Sequence, residues 1–77
     1  MQVKLLAFAS AAADLGWREH ACECDEGDTP LNIFQRIAPG FDPGKARVAV
    51  NCEYSEWDEP VGPATAEIAI IPPVSGG

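Results

Sequence analysis

The chain has 77 residues and a formal net charge of −7, with five Lys and Arg against twelve Asp and Glu. That length holds one domain with a modest core, too small to enclose both a nucleotide pocket and a substrate pocket. The charge argues against nucleic acid as a partner, and suits either steering toward a basic protein or a plain solvated acidic exterior.

The opening, Met1 to Ala13, has one lysine, the apolar run Leu5-Leu6-Ala7-Phe8 and alanines like those of a cleavage site. The run is short for a secretory signal and reads instead as a first strand, Val3 to Phe8. Ser10 to Leu15 is alanine-rich and predicts a turn of helix ending at Gly16. Glu19 to Asp25 alternates, with His20, Cys22 and Cys24 on one face, and predicts a second strand hairpinned to the first. Glu26-Gly27-Asp28 is a turn. Thr29 then caps a helix that starts at Pro30, where a missing N–H costs nothing. Leu31, Phe34 and Ile37, with Ile33 beside them, form its apolar face, and Ala38-Pro39-Gly40 ends it.

Arg47 to Tyr54 alternates again, placing Val48, Val50, Cys52 and Tyr54 on one side of a single strand. Ser55 to Thr65, with Pro60, Gly62 and Pro63, reads as a loop. Ala66 to Ile71 is the last strand, ended by Pro72-Pro73. The predicted order is strand, strand, helix, strand, strand, an α+β arrangement with one main helix on one face of a mixed sheet. Val3, Leu5, Val48, Val50, Ile68 and Ile70 are expected under the helix. Leu6, Phe8, Ala49, Ala69 and Ile71 then lie on the opposite face. Either that face docks a partner, or the loop Ser55 to Thr65 folds over it with Trp57.

The sequence closes with Pro72-Pro73-Val74-Ser75-Gly76-Gly77. Two glycines without Cβ atoms let an extended segment pass a narrow channel, and the two prolines stiffen its base. The expectation is one domain over residues 1–77, with a flexible tail from about residue 72 whose reactive group is the Gly77 carboxylate. No phosphate-loop or dinucleotide fingerprint is present, so any ATP-dependent step falls to a partner.

The opening Val3-Lys4-Leu5-Leu6-Ala7-Phe8, the Gly27-Asp28-Thr29 turn, Val50-Asn51 and the ending from Glu67 to Gly77 resemble the small subunit of molybdopterin synthase. That is the MoaD-like branch of the MoaD/ThiS ubiquitin-like sulfur carriers. The resemblance implies a β-grasp fold with the first and last strands parallel at the sheet centre. It also implies that an E1-like adenylyltransferase activates Gly77 with ATP and that sulfur transfer yields a thiocarboxylate. The tail then donates sulfur to precursor Z inside the large synthase subunit, forming the dithiolene of molybdopterin. Pro72, Pro73, Val74, Ser75 and Gly76 would occupy the partner channel, Leu6, Phe8 and Ile71 the partner interface, and catalytic side chains would come from the large subunit. The family suggests two small subunits at opposite ends of a large-subunit dimer, a heterotetramer.

Cys22, Cys24 and Cys52 make an odd count without disulfide-framework spacing, which suits a reducing cytoplasm. With His20 they could form a metal set, but a Cys-x-Cys spacing in a strand favours core packing, and no bound metal or cofactor is expected. His20 reads as a strand-edge surface residue. Glu56, Asp58 and Glu59 read as a solvated acidic loop or a patch for a basic partner. Trp17 and Trp57 read as partial covers of the core. No stretch is long enough to span a bilayer. Three rival functions remain: a thiamine-type sulfur carrier, a ubiquitin-like modifier using the same Gly77 adenylate, and a non-covalent binding module using only the Leu6–Phe8–Ile71 face.

Overall fold

Two amphipathic patterns, alternation in the strands and a three-to-four spacing in the helix, bury their apolar sides against each other. The computed structural model describes residues 1–73; Val74, Ser75, Gly76 and Gly77 lie outside the described residues. The elements are β1 (Gln2–Ala7), α1 (Ala9–Leu15), β2 (Glu19–Glu23), α2 (Pro30–Ile37), β3 (Arg47–Val50), β4 (Glu53–Ser55) and β5 (Glu67–Ile71). They build one five-stranded mixed sheet of order β2-β1-β5-β3-β4. β1 and β5 run parallel at its centre, with Leu5 opposite Ile68 and Leu6 opposite Ala69. The remaining pairings, β1 with β2, β3 with β5 and β3 with β4, are antiparallel.

α2 begins as its sequence dictates. Thr29 Oγ1 accepts from the Asn32 N–H at 3.1 Å, and Pro30 occupies the first turn. Ile33 and Phe34 are fully buried and pack on Val3, Leu5, Val48, Ile68 and Ile70. Each such side chain contributes roughly 1.5–3 kcal/mol by leaving water. Phe34 is the hub of an aromatic cluster, with ring centroids 6.2 Å from Trp17, 5.2 Å from Phe41 and 5.6 Å from Trp57. α1 is the short helix expected at Ser10 to Leu15. It ends at Gly16, whose φ of 86° lets its N–H reach the Ala12 carbonyl.

One expectation is corrected. Arg47 to Tyr54 is not one strand: β3 stops at Val50 and β4 starts at Glu53. Asn51 and Cys52 form the tight turn between them, with φ of 49° and 69°, the left-handed pair that two-residue hairpin loops require. Register then sets Tyr54 opposite Ala49, so Tyr54 lies on the face away from α2, not beside Val48 and Val50. The loop after β4 decides between the two readings of the open face. Leu31 N donates to the Trp57 carbonyl, Val61 N to Asp28 and Gly27 N to Val61, and the Trp57 indole donates to the Ala46 carbonyl at 2.9 Å. These bonds hold the loop on the α2 side, where Val61 joins the core. It does not fold over the opposite face.

Candidate functional site: the open sheet face and the root of the tail

Alternation along β1 and β5 turns Leu6, Ala69 and Ile71 away from α2, while Leu5, Ile68 and Ile70 fill the core. Phe8, just past β1, continues that outward row and is 50% exposed. Together with Ala49, Cys52, Tyr54 and Glu67, these residues line one shallow, mainly apolar groove of about 320 Å³. The three interface residues expected from the sequence, Leu6, Phe8 and Ile71, therefore do meet. Tyr54, 62% exposed, was missed as a member of this face, while Arg47, on the side of Ala49 by alternation, has its guanidinium carbon 3.9 Å above the Tyr54 ring centroid. The one hint for Tyr54 was Asn51, a residue that tolerates a left-handed turn but does not by itself mark one.

Asn51 also fixes the start of β5. Its Oδ1 accepts from the backbone N–H groups of Ala66 (2.8 Å) and Glu67 (3.1 Å), and its Nδ2 donates to the Ala64 carbonyl at 3.0 Å. Beside it, the Cys52 thiol lies 3.3 Å from Glu67 Oε1, and this hydrogen bond and the adjacent negative charge push its pKa up. Burial raises the thiols of Cys22 and Cys24 in the same direction. None of the three is thereby made a ready nucleophile. All three cysteines are free, and among the described residues no group of His, Cys, Asp and Glu is placed to hold a metal ion. His20 lies on the edge strand with its ring 5.3 Å from that of Trp17.

β5 delivers the chain to Pro72 and Pro73, which line a second groove between α1 and the segment 38–46. The expected tail residues Val74, Ser75, Gly76 and Gly77 lie outside the described residues. Among the described residues no helix is long and apolar enough to cross a membrane.

Comparison with known proteins gives a consistent picture. The sequence model of the ThiS family matches residues 7–77. No curated protein matches the chain at comparable significance. Among solved structures, SAMP1 from Haloferax volcanii is similar at 23% identity with a TM-score of 0.74, covering 100% of both chains. A candidate molybdopterin converting factor, subunit 1, from Pyrococcus furiosus is similar at 25% identity with a TM-score of 0.69, covering 96% of this chain and 99% of that one. The fold is the ubiquitin-like β-grasp, with α2 as the main helix and α1 as a smaller second one.

Proposed function

The chain belongs to the ThiS family, and we propose that it acts as a sulfur carrier in molybdenum-cofactor biosynthesis, with the Gly77 carboxylate as its working group. The observation that carries the reading is the central, parallel placement of β5. A strand anchored between β1 and β3 gives a firm base at Ile71, from which Pro72-Pro73-Val74-Ser75-Gly76-Gly77 continues the sequence toward a partner.

The chemistry follows from a poor electrophile. A carboxylate does not accept a sulfur nucleophile until one of its oxygens carries a good leaving group. In an E1-like partner, a Gly77 oxygen attacks the α-phosphate of ATP and pyrophosphate leaves. Sulfide-level sulfur, as HS⁻ or its equivalent from the sulfur donor, then adds to the acyl carbon, AMP departs and a proton is lost, so that a thiocarboxylate replaces the carboxylate. In the large subunit of molybdopterin synthase the thiocarboxylate sulfur bonds to a carbon of precursor Z, and water then cleaves the acyl–sulfur bond, leaving the sulfur on the pterin and restoring the Gly77 carboxylate. This chain supplies no acid, base or metal to those steps. Its contributions are docking through Leu6, Phe8 and Ile71 and presentation of a tail slim enough for both active sites. Pro72 and Pro73 lower the entropy lost when that tail is ordered.

The test is an intact-mass measurement after incubation with the host's E1-like enzyme, ATP and a sulfur donor. A gain equal to the exchange of one oxygen for sulfur, absent when Gly77 is deleted, is the expected result. Transfer of that sulfur to precursor Z in the presence of the large subunit then assigns the pathway. Attachment of the whole chain to lysines of other proteins, without the exchange, would replace the carrier reading with that of a modifier.

A further inference from the structure

The groove at the root of the tail shares no residue with the groove on the open sheet face. Its walls include the apolar side chains of Leu15 and Phe41, and Pro72 and Pro73 run along it. Its two charged lining residues are both carboxylates, Asp14 from α1 and Asp42 from the segment after α2, and both are exposed. Asp42 is held in place, because its Oδ1 accepts from the Gly44 N–H at 3.0 Å. No Lys or Arg lines the groove.

We propose that this groove receives a basic side chain, an arginine or a lysine, from the protein that adenylates Gly77. The proposal rests on the carrier reading and adds to it a second anchor beside the tail. Charge selects the occupant. The chain's own terminal carboxylate would be repelled by Asp14 and Asp42, so the groove is unsuited to parking the tail. A second copy, itself carrying a net charge of −7, would bring two such carboxylate pairs together. An arginine or lysine satisfies both parts of the lining: its methylene stem packs on Leu15 and Phe41, and its cationic head meets the carboxylates. Position supplies the rest. Because Pro72 and Pro73 form part of the groove, a protein that holds the residues after them has the groove within reach. Engagement here sets the direction in which the tail leaves, while the open face supplies apolar contact.

The experiment compares the intact chain with an Asp14→Asn/Asp42→Asn double variant as substrates of the host's E1-like enzyme, by ATP–pyrophosphate exchange at several salt concentrations. Asp42→Asn keeps the oxygen that accepts from Gly44. The expected result at low salt is an apparent KM for the carrier raised about three- to tenfold, with kcat within about twofold, and a shallower dependence of KM on salt. Asp14→Lys should raise KM further, and matching thermal melts show that folding is not the cause. Equal KM and equal salt dependence for all forms overturns the groove proposal and leaves the carrier reading standing. Exchange that persists after deletion of Gly77, or no exchange by the intact chain, overturns the carrier reading and this proposal with it.

Discussion

Replacing Asn51 tests whether the β3–β4 turn is what fixes the start of β5. Asn51 does two separable things: it makes three side-chain hydrogen bonds to the segment 64–67, and it sits at a φ of 49°. Exposed hydrogen bonds of this kind contribute at the lower end of about 0.5–1.5 kcal/mol each. A left-handed backbone costs alanine about 1 kcal/mol more than it costs asparagine or glycine. Asn51→Asp keeps, and by its charge strengthens, the bonds accepted from Ala66 and Glu67 but sets an oxygen against the Ala64 carbonyl in place of a donor, for a net loss of about 0.5–1 kcal/mol. Asn51→Gly loses all three bonds without the backbone cost, for about 1.5–2.5 kcal/mol. Asn51→Ala adds that cost, for about 2.5–3.5 kcal/mol. A domain of this length has only about 4–12 kcal/mol in total, so the alanine variant should be visibly unstable. Urea unfolding followed by Trp fluorescence reads the series as falling midpoints at a constant slope. The order Asp, Gly, Ala of increasing loss is the signature. An alanine variant no worse than the glycine variant would refute the backbone part of the reasoning. Losses below about 0.5 kcal/mol throughout would refute the clamp.

Phe8→Ser separates docking from folding. Phe8 is the N-cap of α1 and makes no side-chain cap, so serine adds one, worth up to about 1 kcal/mol, against the loss of a half-exposed ring. Thermal stability should stay level or rise, while affinity for the E1-like enzyme, measured by calorimetry, falls tenfold or more. Unchanged affinity would remove Phe8 from the interface. The Asp25 N–H and then the Arg36 guanidinium, 3.1 Å away, hold the Asp28 carboxyl below the usual carboxylate range. A depressed pKa in the folded state gives stability that is present above the unfolded value, near pH 4, and is lost as pH falls through the folded one. Urea midpoints should therefore drop more steeply below about pH 4 for the parent than for Asp28→Asn. Parallel pH profiles would show that the contact contributes nothing to acid stability.

The parts of the fold that were legible in the sequence are those where one local rule acts without competition. Thr29-Pro30 marked the start of α2, because a cap and a proline at the first turn have few other uses. Leu5 and Leu6 fell on opposite sides of β1 by simple alternation, and so the composition of the open face followed. The core packing favoured for the cysteines holds for Cys24 and in part for Cys22, whereas Cys52, in the β3–β4 turn, is exposed. The β3–β4 hairpin was not legible, because the alternation of Arg47 to Tyr54 runs through Asn51-Cys52 without a break and no glycine marks the turn. What settles it is tertiary: Asn51 bonds to residues 64–67, which local pattern cannot foresee. Trp57 covers the core as read, but the contacts that hold it there, to Ala46, Leu31 and Phe34, are near only in space and were hidden. On the open face Tyr54 went unrecognised for the same reason, while Leu6, Phe8 and Ile71 were found.

The parallel pairing of β1 with β5 also has a mechanical consequence. A partner that grips residues 74–77 and pulls along the direction of β5 loads the hydrogen bonds to β1 and to β3 on its two sides together. They resist in shear, several at once, rather than peeling apart one at a time as the bonds of an edge strand would. On the carrier reading, such a domain can be drawn by its tail without unravelling the sheet at its centre.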